Sequence, residues 1–148
     1  MRKILFLDID GVLNTDHQQW HCQMNSIAPV DKFGYAFGSK AVENLATIPE
    51  ETGAEIVISW KFLGLQTLQK MWKDRNLPGV IIDITPDGKS KGWEIDEWLM
   101  NHKGQVSGYA IIDDENVMLP EQQKHFVQTK SQLGITSREI EKSVIILK

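Results

Sequence analysis

The chain has 148 residues, 41% apolar and 24% charged, enough for one core of ordinary size and too few for a second large domain. A formal net charge of −4 excludes a broad electrostatic footprint for nucleic acid but leaves room for a local basic site or recognition of a strand end. No run approaches the roughly 18 consecutive apolar residues of a membrane span, and Met1-Arg2-Lys3 leads too soon to Asp8 for a secretory leader, so a cytoplasmic protein is expected.

Short runs of Val, Ile and Leu alternate with amphipathic segments, which predicts an α/β three-layer sandwich: one domain over residues 1–148 with a mainly parallel, five-stranded, Rossmann-like sheet. The first strand is expected from Lys3 to Ile9. Residues 14–38 show no clear periodicity yet carry Trp20, Phe33, Tyr35 and Phe37, the composition of a flap beside an active site rather than of a disordered loop. Cys22 in this segment has no partner for a disulfide and reads as an inert thiol. His17, His21 and Cys22 lack the second pair of soft ligands that a structural zinc needs. A helix over Ser39 to Ile48 is expected to stop at Pro49, followed by a strand from Glu55 to Ile58, a helix from Phe62 to Arg75 and a strand from Val80 to Ile84. Ser90 to His102 forms a further helix with Ser90 as N-cap and Gly104 beyond its end. Strands at Tyr109 to Ile112 and His125 to Gln128 follow, His125 being read as structural. Thr136-Ser137-Arg138-Glu139 is a capping box that opens a helix running to near Lys148.

The chemistry concentrates where strands end. Phe6-Leu7-Asp8-Ile9-Asp10-Gly11 places two carboxylates just past a buried strand, the position at which open α/β sheets bind ligands. Burying two anions together is costly unless a cation joins them, and hard oxygen donors suit Mg²⁺. Taken alone, the pair equally fits a strand cap and turn. Three further elements follow in order. Ile58-Ser59 ends a second strand in a hydroxyl that can donate to a phosphoryl oxygen. Lys89-Ser90-Lys91 puts cations at a helix start, where the dipole disfavours them. Ile112-Asp113-Asp114-Glu115 ends another strand in adjacent acids able to complete a metal site. The tryptophans read mostly as core; for Trp20 and Trp60, near the flap or a strand end, base stacking is the lesser alternative.

In these four elements the chain resembles the haloacid dehalogenase superfamily over nearly its whole length. Gly11-Val12-Leu13-Asn14, Ser59-Trp60-Lys61, Lys91-Gly92, Ile112-Asp113-Asp114, His125 and Gly134-Ile135-Thr136 are similar to a small capless group found attached to RNA-repair proteins. The resemblance implies a strand order 5-4-1-2-3, no large cap domain, and a Mg²⁺-dependent phosphomonoesterase. Asp8 would be the nucleophile and Asp10 the general acid and base, with Ser59 binding the phosphoryl group. Lys91 would neutralise charge, with Lys89 as the alternative if the helix begins earlier. Asp8, the Asp10 carbonyl and Asp114 would hold the metal, with Asp113 orienting Lys91 or a metal-bound water, or itself the ligand in place of Asp114. Relatives carry Trp-Arg where this chain has Trp60-Lys61, which removes a planar bidentate grip on phosphate. The expected partner is a phosphorylated substrate, on a large molecule or a nucleic-acid end given the missing cap. A phosphate- and metal-binding regulatory domain with little turnover is the competing reading.

Overall fold

The computed structural model describes residues 1–148. Five strands form one parallel sheet: β1 (Arg2–Leu7), β4 (Glu55–Ile58), β5 (Ile81–Ile84), β6 (Val106–Asp113) and β7 (Phe126–Gln128). The remaining two, β2 (Val30–Asp31) and β3 (Gly34–Tyr35), pair as an antiparallel hairpin. The sheet order is β5-β4-β1-β6-β7, every pairing parallel. With the hairpin set aside, this is the order 5-4-1-2-3. No helix is long and apolar enough to cross a membrane.

Alternation along β1 makes the layers. Leu5 and Leu7 enter a core of 22 buried residues beneath α2 (Ser39–Thr52), α3 (Leu65–Asp74) and α5 (Ser137–Leu147), while Ile4 and Phe6 enter one of only 7, beneath α4 (Lys91–Asn101). One face is thus sealed by three helices and the other by a single helix, on which Trp98 packs edge-on to Phe6 at 5.4 Å.

Several boundaries differ from the sequence expectation. β1 ends at Leu7, because Val12 and Leu13 both donate to the Ile9 carbonyl and fold Ile9 into a tight turn. Pro49 does not stop α2. The ring sits in the last turn, where Gly53 N–H still reaches the Pro49 carbonyl at 2.9 Å and the Thr52 hydroxyl donates to Ile48 O, so Gly53 at φ 72° ends the helix instead. α3 begins at Leu65, leaving Phe62 in the preceding loop. His125 closes a short 3₁₀ turn before β7; its ring stacks on Tyr109 at 3.8 Å and donates to the Tyr109 carbonyl, the structural part expected of it. Ser90 occupies the N-cap position of α4 without a side-chain capping bond. At α5, Glu139 accepts from both the N–H and the hydroxyl of Thr136.

The segment read as one irregular flap contains regular structure. α1 (Asp16–Met24) is capped by Thr15, whose hydroxyl accepts from Gln18 N–H at 3.0 Å. It escapes a periodicity search because Cys22 is its only buried residue; that cysteine lies in a helix rather than a loop. The hairpin after it turns on Asp31, whose carboxylate accepts from Phe33 N–H.

Candidate active site

Register alone brings three site residues level. Leu7 is paired with Ile58 on one side and Ile112 on the other, so Asp8, Ser59 and Asp113, each one residue further on, line up across adjacent strands. The ladder continues through Ser59 N–H to Leu7 O and Asp8 N–H to Ile112 O. Lys91, at the first turn of α4, reaches down onto this row with Nζ 3.1 Å from Asp8 Oδ2 and 2.9 Å from Asp113 Oδ2. Lys89 instead sits over the Trp93 ring at 5.9 Å. Gly92 makes the approach of Lys91 feasible: a Cβ there would lie 2.7 Å from the Val117 carbonyl, so only glycine lets the chain after β6 close against α4. Gln122 locks that closure by donating to the Gly92 carbonyl at 2.8 Å.

Asp8, Asp113 and Asp114 bring carboxylate oxygens within 4.8 Å of one another. Asp114 folds over Gly11, which has φ +76° and whose missing Cβ leaves the space that the Asp114 carboxylate fills. The Asp10 carboxylate is not part of this cluster. Its two oxygens accept from Asn14 Nδ2 and from the Trp60 indole N–H, both at 2.8 Å.

The electrostatics are unbalanced. Asp8 is 2% exposed, and burial, reinforced by the neighbouring charge of Asp113, pushes its pKa up to about 7 against the pull of Lys91. Asp114 is also raised, by burial and by Asp113. Burial works against the charge on Lys91, but Asp8 and Asp113 outweigh it and hold the ammonium above its ordinary value. Two buried oxygens, Asp8 Oδ1 and Asp113 Oδ2, have no hydrogen-bond partner; the second meets Lys91 as an ion pair, the first meets nothing. A buried acceptor of that kind costs roughly 1–3 kcal/mol unless something satisfies it. Three hard oxygen donors, one of them orphaned, and a single lysine against two buried acids fit a divalent cation of the Mg²⁺ class.

Asp8, Asp10, Ser59, Lys91 and Asp114 all line one cleft of about 310 Å³, with Asp113 buried behind them. Lys61 is at its rim, but its ammonium is taken by the Thr85 side chain and carbonyl and by Pro86 O, and burial lowers its pKa despite Glu94, Asp87 and Asp83. Lys61 therefore ties the β4 and β5 loops together. Larger space exists along β7 and α5, about 630 Å³, but it contains none of these residues. Sequence reasoning did not find the supports. Asn14 and Trp60 orient Asp10; the Thr129 hydroxyl donates to Gly11 O; Gln128 donates to Asp114 O; and Glu94 accepts from Gly88 N–H ahead of α4. All but the Asn14 and Glu94 contacts span distant parts of the chain, which no local pattern encodes.

A parallel sheet in this order, with acids on two central strand ends, a serine on a third and a lysine at a helix start, defines a capless domain of the haloacid dehalogenase class. The family model described as "HAD domain in Swiss Army Knife RNA repair proteins" matches residues 4–140, and the chain belongs to that family. No curated protein and no solved structure matches the chain.

Proposed function

We propose that the chain is a Mg²⁺-dependent phosphomonoesterase that works through an aspartyl-phosphate on Asp8. The observation that carries this reading is Asp8 itself: a buried carboxylate with one oxygen on Lys91 and the other without a partner, at the floor of a cleft shared with Asp10 and Ser59.

In the first step an Asp8 oxygen forms a bond to phosphorus while the ester P–O bond breaks, and Asp10 gives its proton to the departing oxygen. The Ser59 hydroxyl donates to a phosphoryl oxygen, and Lys91 neutralises charge gathered between Asp8 and the phosphate. In the second step Asp10, now ionised, takes a proton from water, whose oxygen attacks phosphorus, releasing inorganic phosphate and the Asp8 carboxylate. The carboxylates of Asp8 and Asp114 and the Asp10 carbonyl would hold Mg²⁺, with Asp113 behind them fixing Lys91; the ion supplies positive charge that keeps Asp8 ionised at neutral pH.

The cleft has no cap domain over it, and the family's description refers to RNA-repair proteins. Both favour a phosphate on a large molecule, and among these a nucleic-acid end. The test is phosphate release from aryl, sugar, nucleotide and oligonucleotide phosphates, with Mg²⁺ or chelator, against Asp8→Asn. Release that needs both Mg²⁺ and Asp8 is expected. Mg²⁺ binding without release from any substrate would replace this reading by a phosphate- and metal-binding regulatory domain.

A further inference from the structure

A second cavity, of about 320 Å³, opens beside the candidate active site and is lined mainly by apolar side chains. Asp10, Trp60 and Phe62 belong to both spaces, so the two cavities meet at the proposed proton donor. A proton donor must face the departing oxygen, so a leaving group protonated by Asp10 departs into the space that Asp10 lines. The far wall is the β2–β3 hairpin with Phe33 and Tyr35, backed by Phe37.

The hairpin is fastened rather than loose. Arg75, following α3, donates to both Asp31 oxygens at 2.9 and 2.6 Å and to the carbonyls of Gly34 and Tyr35, and its guanidinium lies 4.6 Å from the Phe37 ring. Four of the five N–H groups of that cation are thus engaged within the protein and its charge is paired with Asp31, so the cavity offers no unpaired charge for a second phosphate. Two of its aromatics have no role in the core: Phe62 is 77% exposed and Tyr35 49% exposed. Phe62 leans on Trp60 with ring centroids 5.2 Å apart.

We propose that this cleft takes the nucleobase of the leaving group, so that the enzyme selects phosphomonoesters of nucleosides and of single nucleotide ends. The inference rests on the reading of Asp8 and Asp10 as phosphatase machinery. A flat, uncharged ring with polar edges suits walls of Trp, Phe and Tyr, because stacking is indifferent to base identity. A bare sugar would leave its hydroxyls against apolar walls. The volume lies at the low end of small-molecule sites and accommodates one nucleoside rather than a stacked run of bases. Trp60 links recognition to chemistry: its ring forms cleft wall while its N–H holds the Asp10 carboxylate.

The test compares kcat/KM for 3′- and 5′-nucleoside monophosphates with that for ribose 5-phosphate, which shares a primary ester with the 5′-nucleotides but lacks the base, and with phosphotyrosine. A preference of at least tenfold for nucleotides over both is expected, equivalent to about 1.4 kcal/mol. In Tyr35→Ala and Phe62→Ala, both at exposed positions, the nucleotide to ribose-phosphate ratio should fall toward one; the ratio cancels any general loss of activity. Binding of adenosine to Asp8→Asn protein, read by quenching of tryptophan fluorescence, examines the cleft without turnover. Nucleotides and ribose 5-phosphate turned over equally, phosphotyrosine preferred, or a base preference that survives both variants would overturn the inference while leaving the phosphatase reading intact. Adenosine binding that weakens in both variants, with no phosphate released from any substrate, would sink the phosphatase reading and keep the cleft.

Discussion

The acid cluster on the strand ends and the aromatic cleft under the hairpin touch at Asp10, yet they are assembled by opposite means. The cluster sits on β1, β4 and β6, the best-buried strands of the sheet, and its side chains are positioned by backbone register. It burdens the fold, since two acids have raised pKa values and two buried carboxylate oxygens lack a hydrogen-bond partner. The cleft is made of a two-residue-per-strand hairpin, a loop and one arginine, and its groups are nearly all neutral or internally paired. Regular secondary structure carries the strain that chemistry needs, and the irregular segment carries shape.

The sharpest way to separate the two regions is Asp8→Asn. Turnover should drop by at least about 10⁴-fold, as for loss of a nucleophile, with adenosine binding in the cleft retained. Loss of both together would show that the regions are not independent.

The same variant should gain stability in the metal-free protein. A carboxyl whose folded pKa is raised from 3.8 to about 7 makes the folded state bind more protons than the unfolded one. Stability is therefore highest below about pH 4 with respect to this group and declines as pH rises toward 7. Replacing Asp8 by Asn should raise the unfolding free energy at pH 7.5 by about 2 kcal/mol, roughly half of what the full shift represents, because Lys91 loses a partner at the same time. Denaturant melts from pH 4 to 8 with chelator should show the wild-type decline and its absence in the variant; added Mg²⁺ should restore the wild type alone.

Gly11→Ala probes how the cluster closes. The positive φ and the overlap with the Asp114 carboxylate should together cost about 1–2 kcal/mol of stability and raise the Mg²⁺ concentration needed for half-maximal activity. An unchanged metal requirement would remove Asp114 from the site.

The smallest effect falls at the junction. Trp60→Phe keeps an aromatic wall but deletes the N–H on Asp10, and kcat should fall roughly fivefold, about 1 kcal/mol, with the nucleotide to ribose-phosphate ratio preserved. Loss of the ratio instead would make the indole ring, rather than its hydrogen bond, the essential part.

These differences also explain what could be read in the chain before folding. Apolar runs ending in Asp8, Ser59 and Asp113 are local patterns, so the strands, their order by resemblance and the grouping of those residues were legible. Trp60 on Asp10 and Arg75 on Asp31 join residues 50 and 44 positions apart, with no repeating signature. α1 was missed because a polar helix with one buried residue has no apolar stripe, although Thr15-Asp16 carried a start signal. Pro49 misled because proline removes one N–H but keeps its carbonyl, which still accepts from Gly53 N–H, so the helix continues until Gly53 turns left-handed.

Arg75 gives α3 a further property, that of a ruler. The helix starts a few residues after Ser59 and Trp60 and ends at the guanidinium that grips the hairpin, so its length sets how far the aromatic wall stands from the strand end. Each residue turns an α-helix by about 100° and advances it about 1.5 Å. Adding or removing one residue in α3 would swing the arginine off Asp31 and release the wall, whereas a change of a whole turn would keep the grip but move it. Cleft width in this chain would therefore change in steps, with the number of residues between a strand and a salt bridge.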